Sequence, residues 1–300
     1  MRLIFMGTPE FAVPALNALF QNKHEILCVY TQPPRPAGRG KKHKISSIHK
    51  SAENLGILVK SPNRLNTKEI INEILCFKPD AIIVVAYGQI LPEEILEIPR
   101  LGCFNIHASL LPRWRGAAPI HRAIMFGDKN TGVSIMNMEL GLDTGPIVRE
   151  KMVSILSNDT TKSLSEKLAN IGSELLIEVL ANFTGESTEQ SKNGITYAHK
   201  IKKSETKIDW SLSAAEIDCF IRGLSQSPGA WTIHNGTRLK ILLSEVTNDQ
   251  GKVGKITKEG IVFCGKEAIR ILKIQRPGKA VQTWSSFIRG YKINSNEVLS

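Results

Sequence analysis

The 300-residue sequence predicts an α/β protein, with a doubly wound, mostly parallel sheet in its first half and a smaller antiparallel β domain after it. Three observations predict this fold class. Strand-like and helix-like stretches alternate through the first half. The run from Asp80 to Ala86 is apolar almost throughout, as is typical of a central strand covered by helices on both faces. Short strand-like runs, broken by Gly and Asn, occupy the second half.

Hydrophobic spacing predicts the elements of the first half. Thr8 is expected to cap the first helix, with Pro9 in its first turn, and Asn66 or Thr67 is expected to begin a later helix. The inner residues are Phe11, Ala15, Leu16 and Leu19 in the first helix, and Ile70, Ile71, Ile74 and Leu75 in the later one. Strands are predicted at 2–6, 25–31, 57–60, 80–86, 102–108 and 132–138, and a long amphipathic helix at about 160–183. Ligands of such sheets bind at the carboxyl ends of the strands.

The domain boundary is predicted from a polar stretch. Residues 1–186 form the first domain, 187–205 a linker and 206–300 the second domain. Within the second domain we expect a helix at about 213–224 and strands at 230–234, 238–246, 253–257, 260–264 and 268–274. That spacing is typical of a small antiparallel barrel or sandwich.

The charge balance favours a polyanionic partner. The net charge is +11. Residues 206–300 hold 14 Lys or Arg against 8 Asp or Glu, so their net positive charge per residue is higher than that of residues 1–205. A surface of this kind suits nucleic acid, although a generally basic surface without a specific ligand is the alternative.

Other features exclude several classes of protein. The five cysteines form no CxxC pair, so buried free thiols are expected and neither a zinc site nor a disulfide framework is indicated. Gly7-Thr8-Pro9 is not GxGxxG, and no GxxxxGK[ST] occurs, which argues against dinucleotide and nucleoside-triphosphate binding. No apolar run approaches the roughly 20 residues of a membrane span, and no secretory leader is visible. We therefore expect a cytoplasmic protein without a membrane partner.

Two polar side chains stand at the end of the strand predicted at 102–108. Because side chains alternate along a strand, Asn105 and His107 share one face, and Leu110-Leu111-Pro112 ends the strand. An amide N–H can stabilise an oxyanion, and an imidazole can donate to that oxygen or move a proton, a pair suited to acyl transfer. The alternative is a hydrogen-bonded core histidine beside a turn asparagine.

Asp143 is the third catalytic candidate. Gly141 and Gly145 bracket a tight loop after the strand at 132–138, so the carboxylate is expected at another strand end on a constrained backbone. There it could orient the imidazole and move protons through water. The alternative is an aspartate that only forms the turn.

Two loops carry cationic candidates. The segment 32–44 has five Lys or Arg, three Pro and no acid, and follows the second strand, so we expect an exposed, mobile loop that orders on phosphate. The segment 112–119 contains Arg113, Trp114 and Arg115, which could hold an anionic or aromatic ligand. The alternatives are a solvated basic loop at 32–44 and a basic surface loop with one anchoring tryptophan at 112–119.

These residues together resemble a known family. Asn105-x-His107, Ser109-Leu-Leu-Pro112 and Asp143 in Gly-Leu-Asp-Thr-Gly are similar to the 10-formyltetrahydrofolate-dependent formyltransferases. His107-Ala-Ser-Leu-Leu-Pro-Arg-Trp-Arg-Gly-Ala-Ala-Pro-Ile120, Thr31-Gln32, the loop from Arg35 to Lys42 and Ile208-Asp-Trp-Ser211 resemble the methionyl-tRNA formyltransferase branch, over nearly the whole chain. The resemblance implies a Rossmann-like sheet followed by an OB-like barrel. It also implies formyl transfer from 10-formyltetrahydrofolate to the α-amine of methionyl initiator tRNA.

The resemblance also implies roles for individual residues. Transfer is assigned to Asn105, His107 and Asp143. Folate contacts are assigned to Ser109, Leu110, Leu111 and Pro112, with the pterin pocket lined by Tyr87, Gly88, Gln89, Ile90 and Leu91. Contacts with tRNA are assigned to Arg35, Arg39, Lys41, Lys42, Arg113 and Arg115, and to the inner side of the second domain. No metal is expected, and we expect a monomer.

Two rival functions share this chemistry. The chain could formylate a small amine, such as a ribonucleotide or a sugar-nucleotide amine, but a small acceptor needs neither the basic loop nor the second domain. It could instead hydrolyse formyl-folate, which would show as turnover without an amine. A non-catalytic RNA-binding protein is disfavoured, because all three polar positions are occupied.

Overall fold

The computed structural model describes residues 1–37, 42–294 and 297–300. The chain folds into two compact units. Unit 1 comprises Met1–Ala117, Thr131–Val153 and Ser165–Ala198, and unit 2 comprises Ala118–Asn130, Ser154–Leu164 and His199–Ser300. Two short segments of the first half thus group with unit 2. The boundaries 1–186 and 206–300, which follow the order of the chain, remain a prediction.

Unit 1 is built on a seven-stranded sheet of the predicted doubly wound class. Its order is β5-β2-β1-β6-β7-β8-β9, and the pairs from β5 to β7 are parallel. The strands are β1 Arg2–Gly7, β2 Glu25–Tyr30, β5 Val59–Lys60, β6 Ala81–Val85, β7 Cys103–His107, β8 Asn130–Asn137 and β9 Ile147–Ser154. Every residue of β6 is buried, as expected of a central strand apolar on both faces. A separate hairpin joins β3 Arg35–Ala37 to β4 Lys42–Lys44.

The helices of the first half depart from prediction at two points. They are α1 Val13–Gln21, α2 Ser47–Asn54, α3 Lys68–Phe77, α4 Glu93–Leu96, α5 Pro119–Met125 and α6 Thr161–Ala181. Thr8 was wrongly predicted to cap α1, because its hydroxyl donates to the carbonyl of Tyr87 and a 3-10 turn, Glu10–Ala12, intervenes. Thr67 caps α3 as predicted, but Leu75 is 54% exposed and does not belong to the inner stripe that buries Ile74.

The direction of β8 differs from the parallel pattern. Strand β8 runs antiparallel to β7, pairing Phe104 with Asn137 and His107 with Ser134. The carboxyl end of β8 therefore lies at the edge where β7 begins. Asp143 follows a strand end, as expected, but the ends of β8 and β7 lie at opposite edges, so a loop brings its carboxylate back to β7.

Unit 2 contains a five-stranded antiparallel sheet, the half-barrel form of the predicted small β domain. Its order is β10-β11-β13-β12, with β14 paired to β13. The elements are α7 Ala214–Leu224, β10 Ala230–His234, β11 Thr237–Thr247, β12 Ile261–Phe263, β13 Ala268–Gln275, β14 Gln282–Thr283 and α8 Trp284–Ile288. Ser213 and Glu216 form a capping box that begins α7, whose Ile217, Ile221 and Leu224 enter the core at helical spacing. The strand predicted at 253–257 is reduced to isolated bridges at Lys255 and Ile256.

Two further properties bear on the sequence analysis. All five cysteines are free; Cys28, Cys103 and Cys264 are buried as expected, whereas Cys76 is exposed. Among the residues that the structure describes, no helix is both long enough and apolar enough to cross a membrane.

Glu297 fastens the end of the chain to the turn between β10 and β11. Its carboxylate accepts hydrogen bonds from Asn294 N at 2.9 Å, Asn294 Nδ2 at 2.9 Å, His234 Nε2 at 2.8 Å and Asn235 Nδ2 at 3.2 Å. These bonds, led by the backbone bond from Asn294, lower the pKa of Glu297 from 4.5 to about 2.

This depressed pKa predicts an acid-dependent contribution to stability. Because the folded pKa lies below the ordinary value, the contribution is present above pH 4.5 and is lost as the pH falls towards 2. We expect Glu297→Gln to lower the melting temperature of the full chain at neutral pH, and the gap from the unaltered protein to close in acid. Thermal melts from pH 7 to pH 2 measure this, and a gap that does not change with pH would contradict it.

Candidate active site

Three side chains predicted from distant parts of the sequence meet in unit 1. Asn105 and His107 lie on one face of β7, and Asp143 lies against both. Asn105 Nδ2 donates to Asp143 Oδ1 at 3.3 Å, and His107 Nδ1 is 3.6 Å from Asp143 Oδ2. The side chains of His107 and Asp143 are 6% and 14% exposed, so the cluster is largely shielded from water. The structure thus brings together the three candidates for transfer.

The carboxylate of Asp143 is anchored from two sides. Oδ2 accepts a hydrogen bond from the backbone N–H of Gly116 at 2.7 Å, while Oδ1 accepts from Asn105. These two N–H donors hold both oxygens of the carboxylate and fix its plane. One N–H of the Asn105 amide is used in this bond, and its second N–H remains to bind a developing oxyanion.

The loop that carries Asp143 requires its two glycines. Asp143 has a φ of 52°, in the left-handed region, which Asp tolerates better than most residues. A Cβ on Gly145 would overlap the carbonyl of Asn137, and one on Gly141 would overlap the Thr144 side chain. The loop therefore folds back so tightly that Asp143 returns to β7 although β8 ends at the opposite edge.

The imidazole of His107 is oriented by the following loop. Its Nε2 lies 3.0 Å from the carbonyl oxygen of Trp114, and because a carbonyl only accepts, Nε2 carries a proton. The other ring nitrogen, Nδ1, then faces Asp143. Trp114 itself has a φ of 62°, and its N–H donates to Thr196 Oγ1 at 2.9 Å, which holds this carbonyl in place.

Residues 190–198 complete the site, although the sequence predicts no role for them. Arg115 N donates to Thr196 O, Ala198 N donates to Arg115 O, and Ala117 N donates to Ala198 O. Gln190 contacts both the loop of Arg115 and the loop of Asp143. The segment falls in the predicted linker, whose polar composition gave no sign of buried partners.

The predicted folate contacts lie directly after β7. Ser109 is 1% exposed; its hydroxyl donates to the carbonyl of Arg113 at 2.6 Å, and its carbonyl accepts from Ser134 Oγ at 2.8 Å. Leu111 N donates to Ser134 Oγ at 3.2 Å. Hydrogen bonds with Arg113 and Ser134 thus hold the turn Ser109–Pro112 in place. Its contact with folate remains a prediction.

The run Tyr87–Leu91 follows β6 at the same edge. Tyr87 is buried, its hydroxyl has no hydrogen-bond partner among the described residues, and burial raises the pKa of its phenol. Gln89 Nε2 donates to the carbonyl of Pro62, while Ile90 is 86% exposed. An orphaned buried hydroxyl and an exposed apolar side chain suit a run that lines a ligand pocket, which also remains a prediction.

The predicted tRNA contacts are dispersed. Arg35 is exposed, and its Nη2 donates to Gln32 Oε1; the Arg113 guanidinium stacks on Trp114 at 4.4 Å. Arg115 is 7% exposed and bonded to Gln190. Lys42 lies in β4, and Arg39 and Lys41 lie outside the described residues. The loop expected to be mobile contains the β3–β4 hairpin. The role of these residues in tRNA binding stays a prediction.

Comparison with known proteins shows the family to which the chain belongs. The formyl transferase family model matches residues 1–180, and the formyl transferase C-terminal domain model matches residues 200–292. The chain belongs to the formyl transferase family. This formyl transferase is 48% identical over 290 residues to the methionyl-tRNA formyltransferase of Paracoccus denitrificans, covering 97% of each chain. It is 49% identical over 295 residues to that of Roseobacter denitrificans, covering 98% of this chain and 97% of the relative.

A solved structure has the same fold as this formyl transferase. It is WlaRD, a sugar 3N-formyl transferase crystallised with dTDP and 5-N-formyl-THF, with a TM-score of 0.68 and 21% identity over 93% of this chain and 99% of that one. Within the described part of the formyl transferase, no group of three or more His, Cys, Asp or Glu side chains is arranged to hold a metal ion.

Proposed function

We propose that this formyl transferase moves the formyl group of 10-formyltetrahydrofolate to the α-amine of methionyl initiator tRNA. The observation that carries the proposal is the convergence of Asn105, His107 and Asp143 on one shielded patch of unit 1. The acceptor is proposed from the relatives, which are named methionyl-tRNA formyltransferases and match at 48–49% identity over nearly the whole chain.

The proposed reaction is a direct attack. The neutral amine nitrogen forms a bond to the formyl carbon, and the carbonyl oxygen becomes an oxyanion. The bond from that carbon to N10 then breaks, and the proton lost by the amine goes to N10. No covalent intermediate with the protein is required, so the protein has to stabilise the oxyanion and move one proton.

Each of the three residues has one task in this reaction. The second N–H of Asn105 stabilises the oxyanion. The Nε2–H of His107, which donates to Trp114 O in the structure, joins it when the formyl oxygen replaces that carbonyl as its acceptor. Asp143, fixed by Gly116 N, accepts the proton of the attacking amine and returns it to the leaving nitrogen. The shielded setting strengthens each of these interactions, because the local dielectric constant is lower than that of water.

The remaining assignments belong to the same proposal. Ser109–Pro112 and Tyr87–Leu91 bind the folate, and Arg35, Arg39, Lys41, Lys42, Arg113 and unit 2 bind the tRNA. Unit 2 offers one feature typical of nucleic-acid surfaces, the ring of Trp231 with the Arg238 guanidinium 4.2 Å from its centroid. Action as a monomer in the cytoplasm is part of the proposal.

An acceptor assay tests the proposed function. The full chain is incubated with 10-formyltetrahydrofolate and either charged initiator tRNA, uncharged initiator tRNA or a sugar-nucleotide amine. Formylmethionine should form only with the charged tRNA. Formylation of the sugar amine alone would support the rival that the fold of WlaRD permits, and formate release without an acceptor would support a hydrolase.

Loss of either oxyanion donor should slow this reaction. We expect Asn105→Ala and His107→Ala each to lower kcat about 100-fold to 1000-fold, which corresponds to roughly 3–4 kcal/mol of lost transition-state stabilisation. Turnover is measured with charged tRNA after circular dichroism has verified folding. A variant that folds and keeps a near wild-type rate would remove its residue from the mechanism.

A further inference from the structure

Gln190 links the two loops that form the site. Its Nε2 donates to Asp143 O at 2.9 Å and to Gly145 O at 2.7 Å. Its Oε1 accepts from Arg115 Nε at 3.0 Å and Arg115 Nη2 at 2.7 Å. Both donors and both acceptor positions of the amide are therefore used.

We propose that Gln190 is a positioning residue for formyl transfer, which holds the backbone of Asp143 so that the carboxylate stays beside Asn105 and His107. The inference rests on the proposed function. Asp143 sits at a φ of 52° on a loop without regular structure, so its placement depends on such tethers. A misplacement of about 1 Å in a catalytic group can cost on the order of 100-fold in rate.

Only an amide fits this position. The two carbonyls need donors and the guanidinium needs an acceptor, and a glutamine carries both on one rigid group. A carboxylate would keep the bond to Arg115 and place negative charge against two carbonyl oxygens. An ammonium group would donate to the two carbonyls but would place positive charge against the guanidinium of Arg115.

Hydrogen bonds of neighbouring residues hold the backbone on both sides of the Gln190 amide in place. Thr188 exchanges two backbone hydrogen bonds with Ile147, each 2.8 Å long, so the chain just before Gln190 is tied to the start of β9. Arg115 is held by backbone bonds to Thr196 and Ala198, and is 7% exposed. Its Nε and Nη2 are engaged by the neutral amide, which favours a structural partner for this arginine over an anionic substrate.

The test uses Gln190→Glu in the full chain. We expect kcat with charged tRNA to fall about 10-fold to 100-fold, with KM for both substrates within about 2-fold, because binding groups are untouched while Asp143 shifts. The matched control is Gln21→Glu, the same substitution at an exposed position at the end of α1, which should keep the wild-type rate. If circular dichroism shows that Gln190→Glu does not fold, Gln190→Met, equal in length and uncharged, is measured with the same expectation.

A coupling measurement separates positioning from general stability. In an Asp143→Asn background, Gln190→Glu should lower kcat by less than about 2-fold further, because the group that it positions is already disabled. Hydrogen exchange should quicken at amides 139–145 in Gln190→Glu and stay unchanged in β1 and β6.

The outcomes distinguish the two proposals. Absence of formylation by the unaltered chain would contradict the proposed function. The hydrogen-exchange measurement would still show whether Gln190 holds the loop of Asp143. A folded Gln190→Glu with wild-type kcat, a fall in rate caused by KM alone, or a full additional loss in the Asp143→Asn background would each overturn the role of Gln190.

Discussion

Replacing Asp143 with asparagine is expected to lower kcat for formyl transfer about 100-fold to 10,000-fold, the range typical of a lost general acid–base group. Asparagine has almost the same shape, so the loop should fold as before. Its amide cannot accept and return a proton at the reacting nitrogens. KM for both substrates should change little, because no binding contact is assigned to this side chain.

The local hydrogen bonds make this substitution specific. The side-chain oxygen of the new asparagine can still accept from Gly116 N. Its amide nitrogen then points at Asn105 Nδ2, so that two N–H donors face each other. The Asn105 amide therefore loses its partner as well, so oxyanion stabilisation and proton transfer weaken together. This coupling places the expected effect above that of Asn105→Ala or His107→Ala alone.

Steady-state rates with charged initiator tRNA over a range of pH measure the effect. Asp249→Asn removes the same charge at an exposed position of unit 2 and should keep the wild-type rate. A folded Asp143→Asn enzyme with kcat within a few-fold of wild type would show that proton transfer does not pass through this carboxylate.

The sequence predicts the candidate site only in part, for physical reasons. The shared face of Asn105 and His107 follows from the two-residue period of a strand, which is local. The return of Asp143 to that face follows from the antiparallel direction of β8 and from the tight passage of Gly145, which are not local. Gln190 gives no signal, because a polar linker has the same composition whether its amides bond to water or to buried carbonyls.

The fold shows the same distinction. Strand β6 is predictable because it is buried on both faces, whereas β9 escapes prediction because most of its residues are exposed and its hydrophobic pattern is weak. The segments Ala118–Asn130 and Ser154–Leu164 group with His199–Ser300, from which they are distant in the sequence. Composition along the chain cannot show such a regrouping.

A buried ion pair gives the largest expected effect on stability. In unit 2, Arg222 Nε donates to Asp218 Oδ2 at 2.7 Å, and Ser244 Oγ donates to Asp218 Oδ1 at 2.8 Å. Arg222 Nη1 also donates to the carbonyl of Asp159 at 2.9 Å. Asp218 and Arg222 are 8% and 7% exposed, so neither charge can be solvated if its partner is removed.

We expect Asp218→Asn to lower the free energy of unfolding by about 3–5 kcal/mol, because it leaves the guanidinium of Arg222 buried without a counter-charge. The matched control is Glu245→Gln, which breaks the ion pair with Arg270 in the same sheet. Both side chains of that pair are 47% exposed, so the loss should be at most about 1 kcal/mol. Three of the four tryptophans, Trp210, Trp231 and Trp284, lie in unit 2, so tryptophan fluorescence during urea unfolding of the full chain mainly follows that unit.

The double variant Asp218→Asn with Arg222→Met separates the interaction energy between the two charges from the free-energy cost of burying one unpaired charge. Removing both charges should destabilise the chain by less than the sum of the two single substitutions, since the second change removes the unpaired charge that the first one creates. Additive losses, or a loss for Asp218→Asn no larger than that for Glu245→Gln, would show that water reaches the pair. Asp218 and Arg222 would then act as a surface contact of α7, and the stability of unit 2 would rest on its apolar core alone.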